Sequence, residues 1–230
     1  MRISYSLTPV SKNSSSVTRG SDSVNRMARP KRQEARRAAL IEATYAAGRT
    51  HGLRSLSLTD VAVQAGLSRG AILYYYEDLD ALLVEAHAAG VERFCDERDA
   101  TVADLADPRE RLAAAIDAGL PSGPDDALMS LLYEFDVLAG NSALHDELVQ
   151  KLYLRQLATY TGIFAAGREA GVFNAALPDE HLAMTFVALE DAYGLHIVGG
   201  NALMTVPTAA TAMRDVATAL GCPTVVPPVE

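Results

Sequence analysis

Apolar positions along this chain recur at helical spacing from about residue 33 to about residue 220, and no stretch alternates apolar and polar residues as a half-buried strand does. Starting at Gln33, the positions Ala39, Leu40, Ala43, Tyr45, Ala46 and Ala47 mark a helix that stops near Gly52. Ser57 reads as the N-cap of a second short helix carrying Leu58, Val61, Ala62 and Ala65. Gly66 breaks it, Ser68 caps a third helix running through Tyr76, and a turn around Asp78 leads to a long helix from near Asp80. Prolines and glycines then divide the rest into helical segments over 80–105, 108–120, 124–140, 143–170, 178–199 and 207–220. The pattern predicts an all-α protein. Residues 1–28 form a disordered basic arm, 29–80 an N-terminal three-helix helix-turn-helix domain, 81–222 a C-terminal helical domain, and 223–230 a disordered tail.

Composition narrows the class. Hydrophobic residues make up 49% of the 230 and charged residues 21%, as in ordinary globular chains. No run of about 18 apolar residues offers a membrane span, and Met1 to Val10 lack the apolar core of a signal peptide. Two distant cysteines, Cys95 and Cys222, fit reduced thiols in a cytoplasmic protein, and the five histidines lack metal-ligand spacing. Neither a metal nor a cofactor is implied. The charge of −9 argues against nucleic acid until its distribution is seen. Residues 1–37 hold nine basic groups and two acidic ones, a balance of +7 that leaves −16 for the rest. An acidic body repels phosphate, so any DNA contact belongs at the N-terminal end.

The chemistry is concentrated in residues 57–83. Val61, Ala62, Ala65, Leu67, Ile72 and Tyr76 can form the small core that locks two helices at a steep angle. Gly66 supplies a positive φ for the turn, while Gly70 and Ala71 keep the next helix slim enough for a major groove about 12 Å wide. The stretch Val61-Ala62, Ala65-Gly-Leu-Ser-Arg-Gly70, Tyr75-Tyr76 and Asp80-Ala-Leu-Leu83 resembles the DNA-binding domain of the tetracycline-repressor (TetR) family across about residues 33–85. That resemblance implies a homodimeric repressor that binds a palindromic operator in double-stranded DNA and responds to a small-molecule effector. It implies base or groove contacts for Thr59, Arg69, Ala71 and Tyr74, and phosphate contacts for Ser57, Ser68 and Tyr75, with Gly70 beside them. Arg32 and Arg36 of the basic arm join this set, the more so because Leu79 stands where the family usually has a Lys.

The same residues spell Gly66-x-Ser68-x-Gly70, the hydrolase nucleophile elbow, but that motif needs a strand before the Ser and here a helix precedes it. No acid/base constellation supports an all-helical enzyme, so none is expected. In the C-terminal half, the helix over 178–199 carries two apolar stripes, which implies burial on both faces. One stripe and the last helix supply an expected dimer interface of Met184, Val187, Asp191, Leu195, Val198, Met213 and Val216. The expected ligand pocket draws on Met129, Tyr133, Tyr153, Tyr160, Phe164, Phe186, Tyr193 and His196, with Glu134, Asp136 and Glu190 as carboxylates for a cationic ligand. A ligand-independent or activating regulator of the same architecture is the alternative.

Overall fold

The computed structural model describes residues 21–137, 140 and 142–225, without the side chains of 21–30 and 137. The described residues contain nine α-helices and no strand. Contacts divide the chain into two units, residues up to Ala38 and residues from Ala39 on. Helix α1 spans Ser21–His51, starting well before the Gln33 expected from the apolar pattern. Once a buried face holds one end of a helix, propagation through polar residues adds a bond per residue, and such a segment leaves no apolar period to read. The tail at 1–20 and residues 226–230, expected to be disordered, lie outside the described residues.

In the second unit, the helix-turn-helix is built from α2 (Leu58–Ala65) and α3 (Arg69–Leu73), each opened by a serine cap. Ser57 accepts from the backbone N–H of Asp60, whose carboxylate accepts in return from the Ser57 N–H, a complete capping box. Gly66 ends α2 at φ 63°, and the Leu67 N–H reaches back 2.9 Å to the Ala62 carbonyl. Ser68 then accepts from the Ala71 N–H at 3.2 Å and starts α3. Helix α3 is shorter than the run through Tyr76 that the pattern suggests. The Tyr75 N–H turns back to the Ile72 carbonyl at 2.8 Å, a three-residue bond that tightens the chain into the next turn.

Ile72 and Tyr76 plug into a head core with Leu40, Tyr45, Val61, Ala62, Leu82 and Ala86, and Leu131 and Phe135 of α6 (Ala127–Val137) close it from below. The Tyr45 hydroxyl donates to the Ala86 carbonyl at 2.9 Å, fastening α1 to α4 (Leu79–Ala103). Leu79, in the place of the family's Lys, packs half-buried against this core instead of facing phosphate. A second, larger core joins α5 (Pro108–Gly119), α7 (Ala143–Glu169), α8 (Asp179–Val198) and α9 (Val206–Ala219). Between them sits a small cluster of Val91, Phe94, Cys95, Met129 and Leu132. The helical segments read from prolines and glycines agree with α4 to α9 to within a few residues, since those residues terminate helices whatever surrounds them.

Gly66 has open space around the position of a Cβ, so its left-handed backbone, not crowding, is what demands glycine. Gly66→Ala should cost about 1 kcal/mol and lower the melting temperature by roughly 2–4 °C, measured by circular dichroism. An unchanged melt would mean that the turn relaxes out of this conformation.

Candidate functional site

Two features of the second unit carry functional groups. The first is the outer face of the helix-turn-helix. Ser68, Arg69 and Gly70 are exposed at the start of α3, and Tyr74 is 71% exposed just beyond its end. Thr59 is exposed on α2, Ala71 is half-buried, and Tyr75 is half-buried with its ring edge-on to Tyr74 at 5.0 Å between centroids. Three successive residues on one turn cannot face the same way, and here Tyr76 is the one turned into the core. Ser57 is half-buried and occupied by its capping box, where its hydroxyl donates to the Asp60 carboxylate at 2.6 Å. Its role here is to start α2. Val63 on α2, 77% exposed, was not singled out in the sequence, where it looks like one more helical apolar position. Arg32 and Arg36 are exposed on the first unit.

The second feature is a cavity of about 450 Å³ enclosed by α4, α6, α7 and α8. Met129, Tyr133 and Tyr153 line it, as do Phe94 and Leu132. Three carboxylates, Asp136, Asp146 and Asp191, also line it, and among its described lining residues none is Lys or Arg. Burial pushes the Asp191 carboxyl up to about 7, and the nearby carboxylates of Glu190 and Asp136 add to the shift. Burial also raises the Tyr133 hydroxyl, with Asp191 reinforcing it. Such a lining repels anions and suits a compact cation, which aromatic faces attract through their quadrupole and carboxylates through charge.

His87 lines the same space from α4. Its ring lies flat on Phe135, 4.1 Å between centroids, and its Nδ1 is 3.0 Å from Nδ1 of His145. One of those nitrogens donates and the other accepts, so the two rings cannot both be protonated. Burial drives the His87 pKa down to about 4, and His145 lowers it further.

Other expected pocket residues lie elsewhere. Tyr160, Phe164 and Phe186 are fully buried in the large core, their rings 5.3–6.0 Å apart between centroids, the first two stacked and Phe186 tilted against both. Their helical spacing is that of a packing stripe, and the neighbouring aromatic rings leave no room for a ligand. Tyr193 packs half-buried on that core, while His196 is exposed at the end of α8 beside the Asn201 amide at 3.2 Å. Glu134 accepts from the Leu53 N–H, and Glu190 is sealed in a buried ion pair. The expected dimer residues divide as well. Val187 and Met213 are 0% exposed within their own chain and have no surface to offer a partner. Asp191 turns into the cavity, and Val198 packs half-buried on the small central cluster. Val216 is half-buried, while Met184 and Leu195 are half-exposed at 50% and 48%. Sequence reasoning missed His87, Phe94 and Gln156 in the cavity. The available signal was a polar residue inside an apolar stripe, as Gln156 is between Leu152 and Tyr160 on α7.

No family model matches the chain. The HTH-type transcriptional regulator BetI of Burkholderia cenocepacia strain HI2424 is 36% identical over 125 residues, covering 52% of this chain and 61% of that protein. The BetI of Burkholderia ambifaria strain MC40-6 is 34% identical over 123 residues with the same coverage. The chain thus spans about three-fifths of the length of these curated relatives. Among solved structures, a transcriptional regulator from Saccharomonospora viridis in complex with choline is similar with a TM-score of 0.74 at 24% identity, over 80% of this chain and 96% of that one. A TetR transcription regulator from Haloarcula marismortui gives 0.72 at 23% identity, over 81% and 98%. The helix order and the turn of the helix-turn-helix are those of an all-helical, two-part regulator fold. Over about half its length the chain is similar in sequence to BetI, and over about four-fifths it shares the fold of these solved regulators.

The neutral, desolvated state of His87 has a consequence for stability. The unfolded chain takes up this proton at an ordinary histidine pKa while the folded chain resists to about 4, so stability contributed here is full above about 6.5 and is lost as pH falls toward 4. Between pH 7 and pH 5 the wild type should lose about 2 kcal/mol more than His87→Phe, read from urea melts at each pH. Parallel losses in the two proteins would show that His87 is not the group being protonated.

Proposed function

We propose that this protein is a DNA-binding transcriptional repressor, a cytoplasmic homodimer that holds a palindromic operator and releases it when a small cation enters the cavity. The observation that carries the reading is α3, capped by Ser68 and presenting Arg69, Gly70 and Tyr74 outward on a head whose core is filled from behind by Ile72 and Tyr76. A slim helix with exposed side chains at its start is what a major groove admits, and the exposed Arg69 has the bidentate donors that a guanine edge takes. Thr59, Ala71, Tyr75 and Ser68 would supply further groove and phosphate contacts, and the exposed Arg32 and Arg36 of the first unit would add charge for the backbone, while Ser57 serves as the cap of α2.

The cation assignment rests on the acidic, aromatic lining of the cavity, and the choline held by the Saccharomonospora viridis protein agrees in charge and size. For the dimer, the outward stripe of α8 is the surface to bury: Met184, Ala188, Ala192 and Leu195 are exposed at spacings of three and four residues. Twofold pairing would set two α3 helices one turn of DNA, ~34 Å, apart.

Duplexes selected from a random pool by the wild-type protein should be palindromic, and gel shifts on them should weaken when choline is added. A protein that selects no sequence, or whose complex ignores every small cation tried, is not such a repressor. Arg69→Ala should weaken the selected duplex by ~1–3 kcal/mol while leaving random DNA nearly unaffected. Equal losses on both would reduce Arg69 to a phosphate contact. Ionised Asp191 attracts a cation and neutral Asp191 does not, so choline affinity should rise from pH 6 to pH 8 around the carboxyl's value of about 7. Glu190, Asp136, Arg98, His87 and Tyr133 surround that group, and burial holds the His87 pKa at about 4, below the window. Calorimetry on Asp191→Asn should give weaker binding with that rise removed.

A further inference from the structure

Beside the cavity lies a buried ion pair that neither DNA contact nor ligand contact requires. Arg98 of α4 is 2% exposed and Glu190 of α8 is 1% exposed, joined by two bonds of 2.6 and 3.1 Å. Burial opposes both charges and raises the Glu190 carboxyl, but the carboxylate holds the Arg98 guanidinium above its usual value, and the two-bond geometry is that of an ion pair. The Tyr160 hydroxyl donates to the same carboxylate, and the Arg98 guanidinium lies 4.6 Å from the centroid of the Tyr160 ring. On the α5 side the pair is sealed: a Cβ at Gly119 would overlap the Glu190 carboxylate.

The remaining side opens toward the cavity through three residues that line it. Gln156 donates to Glu190 at 3.4 Å, Phe94 lies one helical turn from Arg98 with its ring centroid 6.0 Å from the guanidinium, and Asp191 adjoins Glu190 in sequence. A buried ion pair is weak as a stabilising device, and this one leaves the Arg98 Nε–H without a partner, which makes it weaker still. What it does do is fix the far half of α4 to α8. The near half of the same helix supplies Leu82 and Ala86 to the head core. At 25 residues α4 is about 37 Å long and moves as a rod.

We infer that Arg98 and Glu190, with Gln156 as their link to the cavity, are the positioning residues that convert cavity occupancy into a change at the head. A cation seated against Asp191 and Gln156 competes with Arg98 for the negative charge of Glu190. The anchor of α4 loosens, and the head it carries is no longer held in the operator-binding position. The inference rests on the proposed function, since it needs both a cationic effector and an operator.

The test uses full-length protein, a duplex selected by the wild type, and choline as the probe. Operator affinity is read by fluorescence anisotropy with and without saturating choline, and choline uptake is followed separately by calorimetry. The wild type should lose tenfold or more in operator affinity, within the usual 5–150-fold range of such couplings. In Arg98→Met/Glu190→Leu, an apolar replacement of the pair, the chain should still bind operator and still take up choline, yet the loss should fall below about threefold. Gln156→Leu, compared at choline concentrations that calorimetry shows to be saturating for it, should reduce the factor in the same direction and decides the matter if the double variant does not fold. A full tenfold loss persisting in these variants overturns the inference and leaves the repressor reading intact. A wild type indifferent to choline overturns both.

Discussion

One helix belongs to two cores. The N-terminal half of α4 is cemented into the head by Leu82 and Ala86, and its middle and far half are held by Phe94, Cys95 and Arg98 among α6, α7 and α8. A continuous α-helix bends little, so its two ends cannot be repositioned independently. Whatever the body does to the far end is felt at the turn that presents α3. The exposed ion pairs of Arg155 with Glu92, Asp96 and Asp99 brace α4 against α7 along its outer face, but at such exposure they add little beyond alignment.

Neighbouring carboxylates on α8 show how burial and partners divide one chemistry into two roles. Glu190 has two guanidinium N–H groups, a tyrosine hydroxyl and an amide to satisfy its oxygens, and these partners favour the carboxylate against the burial that raises its pKa. Asp191, one residue on, is swung by the helical turn into the cavity, where burial, reinforced by the carboxylates of Glu190 and Asp136, raises its pKa to about 7. The first arrangement is structural and rigid. The second leaves a carboxyl of shifted pKa in a half-open cavity, the kind of group that marks a candidate binding site.

Local rules were legible in the sequence wherever a single residue imposes them. The Ser57 and Ser68 caps, the left-handed Gly66, the inward Tyr76 and the proline and glycine breaks between α4 and α9 depend only on neighbours a few positions away. The cavity residues Met129, Tyr133 and Tyr153 could be named from their helices, yet nothing local separates them from Tyr160, Phe164 and Phe186, which have the same chemistry and the same spacing. For α8 the two stripes announced burial on both faces, but not which face meets its own chain. Val187 and Met213 were taken for a partner's surface because a stripe has no label for whose core it enters.

The amino-acid sequence alone therefore determined the helices, the serine caps of α2 and α3, the breaks from α4 to α9 and the turn before α3, because those follow from backbone conformation, capping and period. The start of α1 and the end of α3 left no such local mark. Only the tertiary structure decided which aromatic residues pack and which enclose empty space, that Arg98 meets Glu190 across 92 positions of chain, and that Gln156 joins them to the cavity. These are questions of which helix faces which, and they are settled by the summed packing of distant side chains, to which no short stretch of sequence has access.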